Sequence, residues 1–127
     1  MKNKRKNKFK TSLNCAIRGL RYVLRNERNF RIELLVAIFV VFASVLFRIK
    51  MWEFIVVIFL ITWVLVSELA NTVVERVVDI LEPRIHPFAR LIKDIMAGIV
   101  LVSSIMASLV GFLIFVPYLY NLFNLYF

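Results

Sequence analysis

Residues 95–120 carry no formal charge. A helix needs about 20 consecutive apolar residues to cross the hydrocarbon core of a bilayer, and this run exceeds that. In lipid each backbone N–H and C=O must find its partner inside the protein, which leaves helices and closed barrels as spanning forms. The chain is 127 residues long with only three glycines and three prolines. That is too few turn residues to punctuate a barrel of many short strands. The run is therefore predicted to be a membrane helix.

Two more apolar runs precede it. Residues 34–47 are apolar apart from Ser44. They fall short of a span by themselves, so this helix is predicted to begin near Asn29 or Phe30, with Arg31 and Glu33 at the near interface. Residues 51–67 form the second run, with Glu53 near its start, and Arg48, Ile49 and Lys50 make a short turn between the two. Pro83 and Pro87 break the chain before the third run, and Pro117 is predicted to end or kink it. A mean hydropathy of +0.82 and a hydrophobic share of 61% agree with this reading.

The net charge of +9 is unevenly placed. Residues 1–31 hold eleven Lys or Arg against one acid, Glu27. A basic segment can bind nucleic acid; beside long apolar runs it points instead to an anionic leaflet. Arg76, Arg84, Arg90 and Lys93 cluster in the connection between the second and third runs. The positive-inside rule then puts the N-terminus and this connection in the cytoplasm and the C-terminus outside. Residues 1–8 have no periodicity and are predicted to be a solvated basic tail. In residues 9–25 Phe9, Leu13, Ala16, Ile17, Leu20, Val23 and Leu24 recur with a 3.6-residue period. This predicts an amphipathic helix on the membrane surface that breaks near Asn26. Residues 26–120 form the three-span domain, and 121–127 an aromatic tail suited to interfacial anchoring. The first apolar run follows about thirty charge-studded residues and has no small-residue cleavage site after it, which does not fit a cleaved signal peptide. The single cysteine, Cys15, allows no intrachain disulfide.

The stretch ELANTVVERVVD, residues 68–79, stands where the second apolar run ends. Nothing in it stops a helix before Pro83. Glu68, Asn71, Thr72, Glu75 and Asp79 are then spaced i, i+3, i+4, i+7 and i+11, on one face. Val73, Val74, Val77 and Val78 keep the other faces apolar. Such a line suits an ordinary acidic helix end, and it equally suits a functional site, because ionisable groups at membrane depth are costly. Glu27 and Glu33 flank Arg28 and Arg31 in a second cluster, and His86, Lys93 and Asp94 form a third. Acids, a lysine and a histidine at the cytoplasmic edge suggest phosphate and divalent-metal chemistry. Mg²⁺ takes oxygen ligands, one or two carboxylates together with substrate phosphates. There is no Walker A loop, no HRD or DFG set and no GxGxxG, so neither a P-loop nor an ordinary kinase fold is indicated.

With Glu68, Asn71, a small hydroxyl residue at Thr72, Glu75 and Asp79, the stretch resembles the signature of the small integral-membrane lipid kinases, the prokaryotic diacylglycerol kinase and undecaprenol kinase family. NERNFRIE resembles the family's first acidic loop, HPFARLIKD its His-to-Lys-Asp segment, and FKTSLNCAIRGLRYVLRNE its surface helix. The resemblance covers about residues 8 to 115. It implies an all-α integral membrane protein of the bacterial cytoplasmic membrane, a homotrimer with three transmembrane helices and one N-terminal amphipathic surface helix per subunit. It implies ATP- and Mg²⁺-dependent phosphorylation of a lipid primary hydroxyl at the cytoplasmic face. Carried over by position, Glu68 is the general base and Asn71 orders the site. Glu27 and Glu75 hold the metal. Asp79, His86, Lys93 and Asp94 meet the nucleotide, and Arg21 and Arg31 line the lipid–phosphate surface. Ala97 stands where some diacylglycerol-specific members resemble a serine. HPFARLIKD and Asn29 look more like the Gram-positive branch, many of whose members prefer undecaprenol. Undecaprenol is therefore the expected acceptor, with diacylglycerol the alternative. A noncatalytic membrane scaffold, whose helix acids serve packing, is the reading from another class.

Overall fold

The computed structural model describes residues 2–126 except 83 and 85, with side chains described for residues 8–125 apart from those two. Four helices follow in order: α1 Lys2–Asn26, α2 Arg28–Leu46, α3 Met51–Leu81 and α4 Pro87–Tyr126. Three of them, α2, α3 and α4, are long and apolar enough to cross a membrane. At 1.5 Å per residue α2, with 19 residues, is about 28 Å long, close to the hydrocarbon thickness. The 31 residues of α3 reach about 46 Å, so a good part of it extends past the bilayer core.

Side-chain contacts set the helix directions. Glu27, at the start of α2, meets Arg76 near the end of α3. Asp79 of α3 meets Lys93 near the start of α4. At the opposite end Phe47 packs edge-on against Phe115 of α4, ring centroids 6.1 Å apart, and the Tyr118 hydroxyl donates to Glu53. The three spans thus alternate in direction. α3 packs on both neighbours, most extensively on α4, while α1 packs on α2.

The interior is small and mostly polar. Ser44, Glu53, Ser67, Glu68, Asn71, Thr72 and Ser103 are buried, against Val23, Phe30, Ala37, Val57 and Ile114 among apolar residues. Phe39, Phe42, Phe59, Trp52 and Leu113 face outward, Leu113 with 71% of its surface exposed. An apolar exterior of this extent does not suit water. In lipid it costs nothing, and helices associate through small residues and interhelical hydrogen bonds instead. The Ser44 hydroxyl donates back to the Val40 carbonyl at 2.8 Å, which lets this most enclosed residue sit against its neighbours without an orphaned donor. Between α3 and α4 the Trp63 indole N–H donates to Ser103 Oγ at 3.1 Å, and the hydroxyls of Ser67 and Ser103 lie 3.3 Å apart.

The expected breaks at Asn26 and at Arg48–Lys50 are where the helices end. Glu27 has extended backbone angles, φ −104° and ψ 110°. Arg48 takes φ 50°, a left-handed conformation that a tight turn between α2 and α3 requires. Other expectations need correction. The basic run is not an unstructured tail: α1 starts at Lys2 rather than Phe9, because Lys and Arg are good helix formers and no Gly or Pro interrupts them. α2 starts at Arg28, one residue earlier than expected. Pro117 does not end the last helix, and residues 121–126 continue α4. Its neighbour Tyr118 is fastened to α3, and bilayer helices tolerate proline where neighbouring contacts hold the chain. Pro83 lies outside the described residues.

Candidate active site at the basic end of the bundle

The polar face of α3 runs from buried to exposed. Glu68 and Thr72 each keep only 4% of their surface exposed and Asn71 is also buried; Glu75 is half-buried and Asp79 exposed. The one-face spacing expected from the sequence is thus realised, with Glu75 two turns, about 10 Å, beyond Glu68 toward the basic end. The Asn71 side-chain N–H donates to Glu75 Oε1 at 3.2 Å. Its carbonyl oxygen is buried with no hydrogen-bond partner among the described residues.

Glu27 enters this region because it is not helical. It stands at the break between α1 and α2, and its carboxylate does not cap the helix that follows. Its Oε1 accepts instead from the Arg76 guanidinium at 2.8 Å. The Glu27 side chain is the more enclosed partner, 19% exposed against 51% for Arg76. The α1–α2 break, the start of α2 and the later part of α3 thus bring Glu27, Glu33, Glu68 and Glu75 toward one end of the bundle, with the Arg76 guanidinium on Glu27. No group of three or more His, Cys, Asp or Glu among the described residues is close enough to form a metal cage. Two carboxylates and an unpartnered amide oxygen are, however, hard oxygen donors of the kind that hold Mg²⁺ together with phosphates.

Asp79 and Lys93 are also brought together. The ammonium donates to Asp79 Oδ1 and so ties α3 to α4 across the connection. Other expected residues do not converge within one chain. His86 is exposed at the start of α4, where its Nδ1 accepts from the Phe88 N–H at 3.3 Å and its ring stacks on Phe88. It acts there as an N-cap ahead of Pro87, the favoured first helical residue. Asp94 is exposed, and no hydrogen bond or ion pair holds it among the described residues. Arg21 is exposed on α1. Arg31 reaches back to the Arg25 carbonyl at 3.3 Å and so closes the C-terminal turn of α1.

One residue of the site is not singled out by sequence reasoning, and another only as a flank of the Glu27 cluster. Arg76 counts there only toward orientation, since its partner lies 49 residues away. Glu33 lines an apolar groove of about 360 Å³ between α2, α3 and α4, and its Oε2 is buried without a partner among the described residues. The available signal is a single carboxylate directly before the apolar run of residues 34–47.

A three-span helical protein with a buried glutamate and three partly enclosed ones toward one end of the bundle, beside an apolar groove, has the form of an enzyme acting on a membrane-embedded substrate. The model of the prokaryotic diacylglycerol kinases matches residues 14–115, and the chain belongs to that family of membrane lipid kinases. It is 34% identical over 111 residues to the undecaprenol kinase of Bacillus subtilis (strain 168), covering 87% of this chain and 90% of that protein. It is 33% identical over 112 residues to a diacylglycerol kinase of Synechocystis (strain PCC 6803), covering 87% of this chain and 64% of that protein. Family membership makes the chain a lipid kinase and sets aside the scaffold reading.

Proposed function

We propose that the chain transfers the γ-phosphoryl group of ATP to the primary hydroxyl of undecaprenol, giving undecaprenyl phosphate and ADP. The observation that carries this reading is Glu68: a buried carboxylate accepting no hydrogen bond among the described residues, beside Asn71 and Glu75. A general base must be free to meet the proton it removes. In this mechanism Glu68 takes the hydroxyl proton, the acceptor oxygen bonds to the γ-phosphorus, and the bond to the β–γ bridging oxygen breaks. Phosphoryl transfer asks mainly for positioning and charge neutralisation. Asn71 fixes the rotamer of Glu75. Arg76 holds Glu27 at the helix break, and Lys93, steadied by Asp79, offers its ammonium to the phosphates. Glu27, Glu75 and the free oxygen of Asn71 would hold Mg²⁺, which when bound offsets phosphate charge.

The reading includes a homotrimer in the cytoplasmic membrane with this end of the bundle in the cytoplasm. In support, Arg21, His86 and Asp94 do not reach the carboxylates of their own chain, so a neighbouring copy would supply groups to complete the nucleotide site. The acceptor is favoured by the fuller coverage of the undecaprenol kinase relative, by Ala97 and by Asn29. Labelled ATP offered to undecaprenol and diacylglycerol side by side in mixed micelles tests it. Preferential labelling of undecaprenol is expected. Preference for diacylglycerol overturns the acceptor, and labelling of neither overturns the kinase reading.

A further inference from the structure

The groove that starts at Glu33 has a definite end. It runs along α2 past Val36 and Val40 and along α4 from Ser104 to Phe115. Over that interval α4 advances about 16 Å. At the far end Phe115 is backed by the Phe47 ring. One turn beyond, Tyr118 is fastened to Glu53, and Glu53 Oε2 also accepts the Lys50 N–H at 2.9 Å. An aromatic floor backed by a polar clasp closes the groove at this end, so a longer chain must leave it sideways into the bilayer. At the other end Glu33 and Leu65 line the groove, Leu65 about one turn before Glu68 on α3, so the groove opens toward the reacting end of the site. Its wall is apolar apart from Glu33, Ser104 and Ser108.

We propose that this groove seats the first part of the acceptor's hydrocarbon chain, with Phe115 on Phe47 as its floor, so that the enzyme reads only about the first three isoprene units. This rests on the kinase reading above and adds what the site measures. Each C–C bond of about 1.5 Å advances an extended chain by roughly 1.3 Å, so 16 Å holds about a dozen chain carbons. Undecaprenol is far longer. Its distal part leaves the groove for the bilayer, where it contributes nothing to recognition. The acceptor is already in lipid, so seating it removes no apolar surface from water. The gain is packing against the groove wall, and it is modest per unit.

The test is kcat/KM for prenols of two, three, four and eleven isoprene units, in nanodiscs and referred to mole fraction in the membrane. The expected profile rises about threefold per unit up to three units and is level from there to undecaprenol. Phe115→Ala is expected to carry the rise on to four units, so that within this variant the four-unit prenol is used better than the three-unit one. Phe115→Leu, a milder opening, gives the same shift in smaller measure should the alanine variant fail to assemble. A steady rise to eleven units, no dependence on length, or a profile unmoved by both substitutions overturns the floor while leaving the kinase reading intact. Phosphorylation of no prenol and no diacylglycerol overturns the kinase reading and the groove with it.

Discussion

The two ends of the bundle each bury a glutamate on α3, and they treat it in opposite ways. At the far end Glu53 accepts the Tyr118 hydroxyl and the Lys50 N–H. Both bonds fall on its Oε2, and they fasten α3 to α4 and begin α3 cleanly. At the basic end Glu68 is buried as deeply but accepts no hydrogen bond among the described residues, and Asn71 and Glu75 follow it on the same helix face. A buried charge without partners is expensive. The fold keeps a hydrogen-bonded carboxylate at one end and, at the other, one without a hydrogen bond among the described residues, as the proposed general base requires.

The sharpest way to break that contrast is to remove both charges by amide substitution. Glu68→Gln is expected to lower phosphorylation of lipid by about a hundred- to ten-thousand-fold, the range that general bases supply. The same variant should melt no lower than the wild type, since no hydrogen bond of Glu68 is lost with the charge. Activity assays and thermal unfolding in the same detergent check both halves. Retained activity would remove Glu68 from the role of base. Glu53→Gln and Tyr118→Phe should reverse the pattern: a clearly lowered melting temperature, because a buried polar group loses its partner, with turnover largely kept at temperatures where the protein stays folded.

A smaller effect separates position from chemistry at the basic end. Arg76→Gln releases Glu27 from its guanidinium partner. An exposed ion pair contributes little to stability, so no resolvable change in melting is expected. Turnover should nevertheless fall several-fold, with the requirement for Mg²⁺ shifted to higher concentration, because Glu27 then loses its fixed direction. Titration of activity against Mg²⁺ reads this directly. An unchanged Mg²⁺ requirement would leave Arg76 a surface residue.

The same two ends differ in how far their residues can be read from the amino-acid sequence. The face formed by Glu68, Asn71, Thr72, Glu75 and Asp79 is legible because helical periodicity alone fixes it once nothing breaks the helix before Pro83. The three spans are legible from apolar length, and the junctions from Asn26 and from the charged turn at Arg48–Lys50. The start of α1 is hidden as long as charge is equated with disorder, although Lys and Arg favour helix. The end of α4 is hidden because a proline weighed by itself takes no account of the contact that steadies Tyr118. Pairings across long sequence separation, Glu27 with Arg76 and Glu53 with Tyr118, leave no periodic trace. Only helix directions and lengths bring them together. Glu33 has a local signal, but its meaning depends on a groove built by three helices.

The finest distinction concerns His86, whose position in the chain suggests the nucleotide and whose contacts suggest a helix cap. As a cap its Nδ1 satisfies the Phe88 N–H, and losing such a contact costs about 0.5–1 kcal/mol. His86→Asn keeps a side-chain acceptor at the N-cap, whereas His86→Ala removes it. If the residue serves only the start of α4, the asparagine variant should match the wild type in both melting and the KM for ATP, and alanine alone should melt slightly lower. If it also meets the nucleotide from a neighbouring copy, both variants raise the KM for ATP by a similar factor, and only alanine shifts the melting curve. The pair of measurements thus assigns His86 either to the satisfied class of Glu53 or to the waiting class of Glu68.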